Sequence, residues 1–440
     1  MKLIRNALIC DGSNDTRKVE ILFDETIREI SDKEISVPSK TKVYDLEGAL
    51  LIPGCIDSRV HFDHDDDPSL ISVATRLAAQ GGITTIIEDI VNTTEPITEK
   101  EQLEDRKKRY AGKSYIDHAF WGIIRMNDYP LYTELAQQLW NEGAVGFRIN
   151  LFSLNDDVDS LSYQDILNLF SSLADTNILF AFEPEDVDTI QSLLPQWQKC
   201  GFKPSEGYLS LSEIQSQAVR KITRRSQENP IHFCGINTQP ASEFILNSLK
   251  KYNLSFDISP LYMEFDHSSA KNLKCSFYPP LQTETDREFY KTVIRSGKLM
   301  VLGSQSGYIN KDGLAACFPD FSGKTHTDWL EYMIPYLFNE YYIKERIALD
   351  RLIKLTSENA AKRFGLYPRK GCLEVNSDAD FTVINLKEPM PRKKASNPCS
   401  PKDIDCSVSH TFLRGNLIYE KGTGITTKKN EGVWIPRTDN

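Results

Sequence analysis

From about residue 50 the chain alternates short apolar runs with longer amphipathic stretches, and no other feature narrows its fold so far. The runs fall at residues 84–87, 119–124, 145–150, 178–182, 231–234, 254–258 and 299–303. Helical patterns occupy 69–80, 131–142, 163–173, 211–227 and 240–252 between them. A run that is apolar without alternation is what a strand covered on both faces looks like. Repeated over roughly 300 residues, the alternation predicts a parallel β/α barrel. The ends read differently. Residues 2–10, 19–23 and 42–46 are strand-like, with a turn at Asp11-Gly12, and β character returns at 381–385 and 408–419 around a charged, proline-rich stretch at 387–402.

Length and charge set outer bounds. A chain of 440 residues exceeds one ordinary core, so a barrel with a smaller module is the natural division. The net charge of -10 argues against nucleic acid or an anionic membrane as the main partner. No apolar run approaches the roughly 20 residues of a transmembrane helix. The N-terminus lacks the sustained apolar stretch of a signal peptide. Nine cysteines without a CxxC pair suit reduced thiols and a cytoplasmic location, and argue against a zinc ribbon.

Specific motifs carry a resemblance. Pro53, Gly54, Ile56, Asp57 and His61 fit the first-strand pattern Pro-Gly-x-Ile-Asp-x-His-x-His, with Arg59 at its first histidine. Gly81-Gly82-Ile83-Thr84-Thr85 fits a second-strand pattern, and Asn92-Thr93-Thr94-Glu95-Pro96 a following Asn-Thr-x-Pro loop. The stretch from Gly143 to Arg148, the Pro279-Pro280-Leu281 segment, Lys370-Gly371, Asp378-Ala379-Asp380 and the last strand from Gly415 continue the match. Together these resemble the cyclic amidohydrolases of the dihydroorotase and dihydropyrimidinase kind along nearly the whole chain. The resemblance implies an α/β fold: a (β/α)8 TIM-like barrel of the metallo-dependent hydrolase type, residues 51–369, with a small β-sandwich built from 1–50 and 370–440.

In that family two zinc ions share a hydroxide, and coordination lowers the pKa of that water so that it attacks a cyclic amide. The implied ligands are two histidines of strand one, a carboxylated lysine, two more histidines and an aspartate. Here the positions hold Arg59, His61, Arg148, Ala181, Gly235 and Gln305, so one ligand of the set remains. A lone guanidinium about 4 Å from a divalent ion, at an effective dielectric of about 20, repels it by roughly 8 kcal/mol. A complete zinc site supplies roughly 10–16 kcal/mol. The zinc pair is therefore expected to be lost, leaving no metal or other cofactor and no catalytic residue from the family set.

Each signal also has a plainer reading. Arg59 and Arg148 would either bind an anion in place of the metals or form core ion pairs, with Glu183, Glu88 or Asp89 as counter-charges. His61 is either a relic ligand or a satisfied interior histidine. Asn92 either contacts a ligand or caps its turn. His64-Asp65-Asp66-Asp67 has metal-friendly residue types but reads as a solvated loop. Asp63, in His61-Phe62-Asp63, and Gln282 stand where the resemblance implies the arginines that grip dihydroorotate. Arg59, His61, Asn92, Arg148 and Gln305 are thus the candidate relict or ligand-binding site. The leading expectation is a catalytically silent scaffold, with aspartate transcarbamoylase as a candidate partner and homodimers or homotetramers implied by resemblance. The alternatives are an active hydrolase of cyclic amide C–N bonds with an atypical site, and a binder of small anions.

Overall fold

The computed structural model describes every residue except 13–14, 63–68, 90–94, 153–159, 201–203, 271–278, 299, 308–328, 391–400, 402, 428–429 and 439–440. Among the described residues, five strands open the chain: β1 (Lys2–Cys10), β2 (Thr16–Phe23), β3 (Ile27–Ser31), β4 (Lys42–Asp45) and β5 (Leu50–Pro53). The barrel staves follow as β6 (Cys55–His61), β7 (Ile83–Glu88), β8 (Asp117–Phe120), β9 (Gly122–Ile123) and β10 (Phe147–Ile149). They continue as β11 (Phe180–Phe182), β12 (Ile231–Phe233), β13 (Leu254–Ile258), β14 (Val301–Leu302) and β15 (Ser306–Gly307). Among the described residues, four strands close the chain: β16 (Phe381–Asn385), β17 (Ser407–Leu413), β18 (Asn416–Glu420) and β19 (Gly424–Ile425).

Strands β9 to β14 pair in parallel in chain order, and a second group runs β15-β6-β7-β8. Strands β8 and β9 are two parts of one stave broken at Trp121, and β14 and β15 are likewise parts of one stave. The parallel pair β15–β6, with Ser306 opposite Val60, therefore closes an eight-stave barrel. Alternate residues of each stave face helices. Phe147, Phe180, Phe182, Ile231, Phe233 and Phe256 belong to one large buried core with the helix residues Ile166, Leu169, Val219, Ile222 and Ile245. Burying a Phe, Ile or Leu side chain contributes about 1.5–3 kcal/mol, so this layer dominates the barrel's stability. Local signals fix the helix starts. Ser162 and Asp165 form a capping box before Tyr163–Ser172, and Thr283 and Asp286 form one before Glu284–Ser296.

Both ends of the chain share one sheet, ordered β19-β18-β17-β16-β5-β1-β2-β3, with β4 beside β1. The antiparallel join of β5 to β16 sets Leu50 to Pro53 against Phe381 to Ile384. The sheet folds on itself as a sandwich around Phe23, whose ring meets those of Phe381 and Phe412 edge-on at 5.3 and 6.0 Å. Residues 430–438 leave this module and cross the amino-terminal end of the barrel. There the His118 amide donates to the Val433 carbonyl, and Ile435 joins Ile56, Ile87, Trp121, Val145 and Leu179 in a buried plug. The carboxyl ends of the staves remain as the mouth.

Candidate functional site at the barrel mouth

The parallel register sets Arg148, Ala181, His232 and Ser255 side by side on β10 to β13. Their neighbours in sequence face the helices, so these four face inward. Two residues further along each strand direction, the inward positions are Glu183, Cys234 and Asp257. Arg59 and His61 arrive from the end of β6, and Asp89 follows β7 directly.

Arg59 and Arg148 are 3% and 1% exposed, so each guanidinium needs counter-charges. The Nε of Arg59 lies 3.3 Å from Asp89, its Nη2 donates to Glu183, and its Nη1 is 4.0 Å from Asp257. The Nε of Arg148 lies 3.2 Å from Asp89, and its Nη2 is 3.4 Å from Glu183. Asp89 and Glu183 thus each bridge both arginines. Glu183 and Asp89 are the partners expected from the sequence. Glu88 is not one, because its carboxylate accepts the Phe62 amide and the Tyr110 hydroxyl, each at 2.7 Å. Although burial disfavours the charged form, Glu183, Asp257 and Asp89 hold the Arg59 guanidinium protonated.

His61 places Nδ1 2.9 Å from the Asp89 carbonyl oxygen, which can only accept. That bond fixes the tautomer with the proton on Nδ1 and the lone pair on Nε2. Burial lowers the pKa of the imidazole, so it stays neutral near pH 7. Gln305 has a left-handed backbone (φ 56), and its amide donates to the Arg59 carbonyl at 2.9 Å. Asn92 and the residues His64 to Asp67 lie outside the described residues.

Three further groups escaped the sequence reading as functional candidates. Asp257 accepts the Gly235 amide at 2.8 Å and sits 3.2 Å from His232 Nε2. Burial works against its carboxylate, yet His232 and Arg59 outweigh that cost and hold its pKa below the ordinary value. Glu185 is 9% exposed, and burial together with the nearby Glu183 charge pushes its carboxyl well above the usual range. Tyr262 directs its hydroxyl to the Pro279 carbonyl at 2.7 Å, with Gln305 at 3.5 Å. The alternation of Ser255 and Asp257 within an otherwise apolar strand was the available signal for Asp257.

A dinuclear zinc cluster does not fit these residues. Positions 59, 148, 181 and 235 supply no donor for a cation, and the room for one at 235 is taken. A Cβ on Gly235 would lie 2.8 Å from Arg59 Nη1 and 2.9 Å from Gln305 Nε2, at a φ of +66. A Cβ on Gly303 would meet the Arg59 Cβ at 2.8 Å. Arg59, Gly235, Gly303 and Gln305 are mutually adapted, so the arginine site is a packed network.

With this geometry in view, residues 245–418 match the amidohydrolase family profile. The whole chain has the amidohydrolase fold, a TIM barrel with a sandwich made from both chain ends. Within that fold its solved likenesses include hydantoinases and dihydropyrimidinases. An L-hydantoinase (dihydropyrimidinase) from Arthrobacter aurescens superposes with a TM-score of 0.85 at 21% identity, covering 99% of each chain. A dihydropyrimidinase from Brevibacillus agri gives 0.84 at 21% identity, covering 99% of this chain and 98% of the other. In sequence, a D-phenylhydantoinase of Escherichia coli is 23% identical over 470 residues, covering 99% of this chain and 98% of the relative.

Proposed function

We propose that the chain hydrolyses a C–N bond of a small cyclic amide at the barrel mouth, with an arginine–carboxylate network standing where the dinuclear cluster would be. The full-length likeness to hydantoinases supports this hydrolase reading over the silent scaffold favoured by sequence alone. The observation that carries it is the Glu183–Glu185 pair. Glu183 is held by two guanidiniums with its side chain 33% exposed, beside a buried Glu185 whose carboxyl burial and the Glu183 charge push upward. A carboxylate held by guanidiniums beside a buried carboxyl supplies the ingredients of acid–base work. Glu183 accepts from a ring N–H or an attacking water, and Glu185 donates to a ring carbonyl or leaving nitrogen.

The charge balance disfavours a small anion as ligand. Arg59 and Arg148 face Asp89, Glu183 and Asp257, two positive charges against three negative. Ring opening of dihydrouracil, hydantoin, allantoin and dihydroorotate by the purified chain, with and without a chelator, tests the proposal. Turnover that Glu183→Gln and Glu185→Gln each reduce by about 10²-fold or more is expected. No turnover on any ring would return the silent scaffold to first place; the missing ligands at 59, 148, 181, 235 and 305 favour that second reading. Aspartate transcarbamoylase retained by the folded chain would then identify a partner. Homo-oligomers, a cytoplasmic location and the division at residues 50 and 370 stand as proposals beside it.

A further inference from the structure

We infer that His232, Cys234 and Asp257 form a binding site for one zinc-like divalent cation, at positions to which the family resemblance assigns no ligand. This goes beyond the hydrolase reading and does not depend on turnover. The β12–β13 register, with His232 opposite Ser255, turns His232 and Cys234 of one strand and Asp257 of the next to the same inner wall. An imidazole nitrogen, the thiol sulfur and a carboxylate oxygen lie within 4.8 Å of one another, and His232 Nε2 is 3.2 Å from Asp257 Oδ2. Ligands bound tetrahedrally at about 2.0–2.3 Å stand roughly 3.3–3.8 Å apart, a spacing that shifts of about 1 Å or less would give this trio. The mixed N, S and O donors suit zinc better than magnesium or calcium.

The surroundings are built as metal sites are built. Ser255 Oγ lies 2.7 Å from His232 Nδ1, and the Gly235 amide donates to Asp257 Oδ1 at 2.8 Å. Each contact leaves the other ring nitrogen or carboxylate oxygen turned toward the trio, as outer partners orient ligands elsewhere. The arginines do not forbid the ion, because the repulsion of a lone guanidinium no longer applies once Asp89 and Glu183 bridge both. Three carboxylates against two arginines leave one negative charge. A divalent ion bound with the Cys234 thiolate adds one positive charge, and the balance closes. Binding releases the thiol proton, so uptake weakens as the pH falls. The second acidic trio, Asp117, Asp378 and Asp380, is already filled by the Lys370 ammonium.

His232, Cys234 and Asp257 are 0%, 2% and 0% exposed, so the ion must load as the chain folds. The full chain is produced in zinc-supplemented and in cobalt-supplemented medium, desalted, and analysed for metal and by absorption. About one equivalent per chain is expected, with a near-ultraviolet thiolate-to-cobalt band that Cys234→Ser abolishes. Asp257→Asn should lower metal content by about tenfold or more. A wild-type chain that retains less than about a tenth of an equivalent overturns the inference. So does a cobalt spectrum without the thiolate band, whatever the stoichiometry. If Cys234→Ser fails to fold, the wild-type chain refolded with cobalt decides: the thiolate-to-cobalt band must appear, a chelator present during refolding must prevent it, and refolding with cobalt without the band refutes the site.

Discussion

Arg59 could be read from the sequence as a missing histidine, but its neighbours could not. Gly235 looked like a lost ligand. In the folded chain it is the space that the Arg59 guanidinium and the Gln305 amide occupy. Replacing Arg59 by His alone would therefore leave no second donor at 235 or 148, and no zinc pair should appear on elemental analysis. Asp89 is the residue on which the network turns, since it bridges two buried arginines at 1–3% exposure. Asp89→Asn should cost about 3–5 kcal/mol, as breaking a buried pair does. Glu183→Gln should cost less, because its side chain is a third exposed and solvent screens the pair. Urea unfolding at pH 7 measures both, and the reverse order would refute the assignment of Asp89 as the hub. Asp57 gives a pH signature. Burial pushes its carboxyl up to about 7, while an unfolded aspartate titrates near 3.8. The folded chain therefore holds a proton that the unfolded chain has released, and stability falls as the pH rises from about 4 to 7. The full effect is bounded at roughly 4 kcal/mol. Asp57→Asn should flatten that part of the stability curve; parallel curves for the two proteins would remove Asp57 as the cause.

Elements were legible where periodicity was strong and local chemistry agreed with it. The strand at residues 2–10, the helix at 69–80 and the strand at 381–385 have the bounds the pattern predicts. The helix Val187–Cys200 contains Pro195, which normally ends a helix, and so escaped notice. Trp329–Leu337 is apolar almost all round and also holds a proline, so no polar face marked it. Glu284–Ser296 was missed although Thr283 and Asp286 cap it, because its mean character is polar and its buried face is narrow. The strap at 430–438 was invisible for another reason. It has few backbone bonds of its own, and its place comes from contacts far away in sequence, including Arg437 stacked 3.5 Å over Trp140. Ile435 is fully buried in the plug at the foot of the barrel. Ile435→Ala should therefore destabilise the chain by about 2–5 kcal/mol, the range for a large core residue cut to a methyl group. A urea midpoint unchanged from the parent would show that the strap is a passenger.

For the molecule as a whole, the decisive question is whether barrel and sandwich unfold together. Sequence alone placed β structure at both ends, and the resemblance supplied their union. The structure shows how the union is secured. Lys370 is 2% exposed, and its ammonium sits 2.6 Å from Asp117 of the barrel stave β8, 2.6 Å from Asp380 and 2.9 Å from Asp378 beside the sandwich. Arg414, at the β17–β18 turn, also pairs with Asp117, and the Val433 amide of the strap donates to the same carboxylate at 2.9 Å. One buried carboxylate thus ties barrel, sandwich and tail. Burial opposes the Lys370 charge, yet Asp117, Asp380 and Asp378 more than repay it and raise its pKa above the ordinary lysine value. A raised folded-state pKa means that this stabilisation is present in full below about pH 10 and fades as the pH climbs past it. Lys370→Met keeps the length of the side chain and removes the charge, leaving three buried carboxylates with Arg414 and Arg369 as counter-charges. A loss of about 3–5 kcal/mol is expected. It should fall on the junction: the parent is expected to melt in a single transition by calorimetry, and the variant in separate barrel and sandwich steps. If Lys370→Met melts in one transition at the parent temperature, the ion cluster is not what couples the two modules.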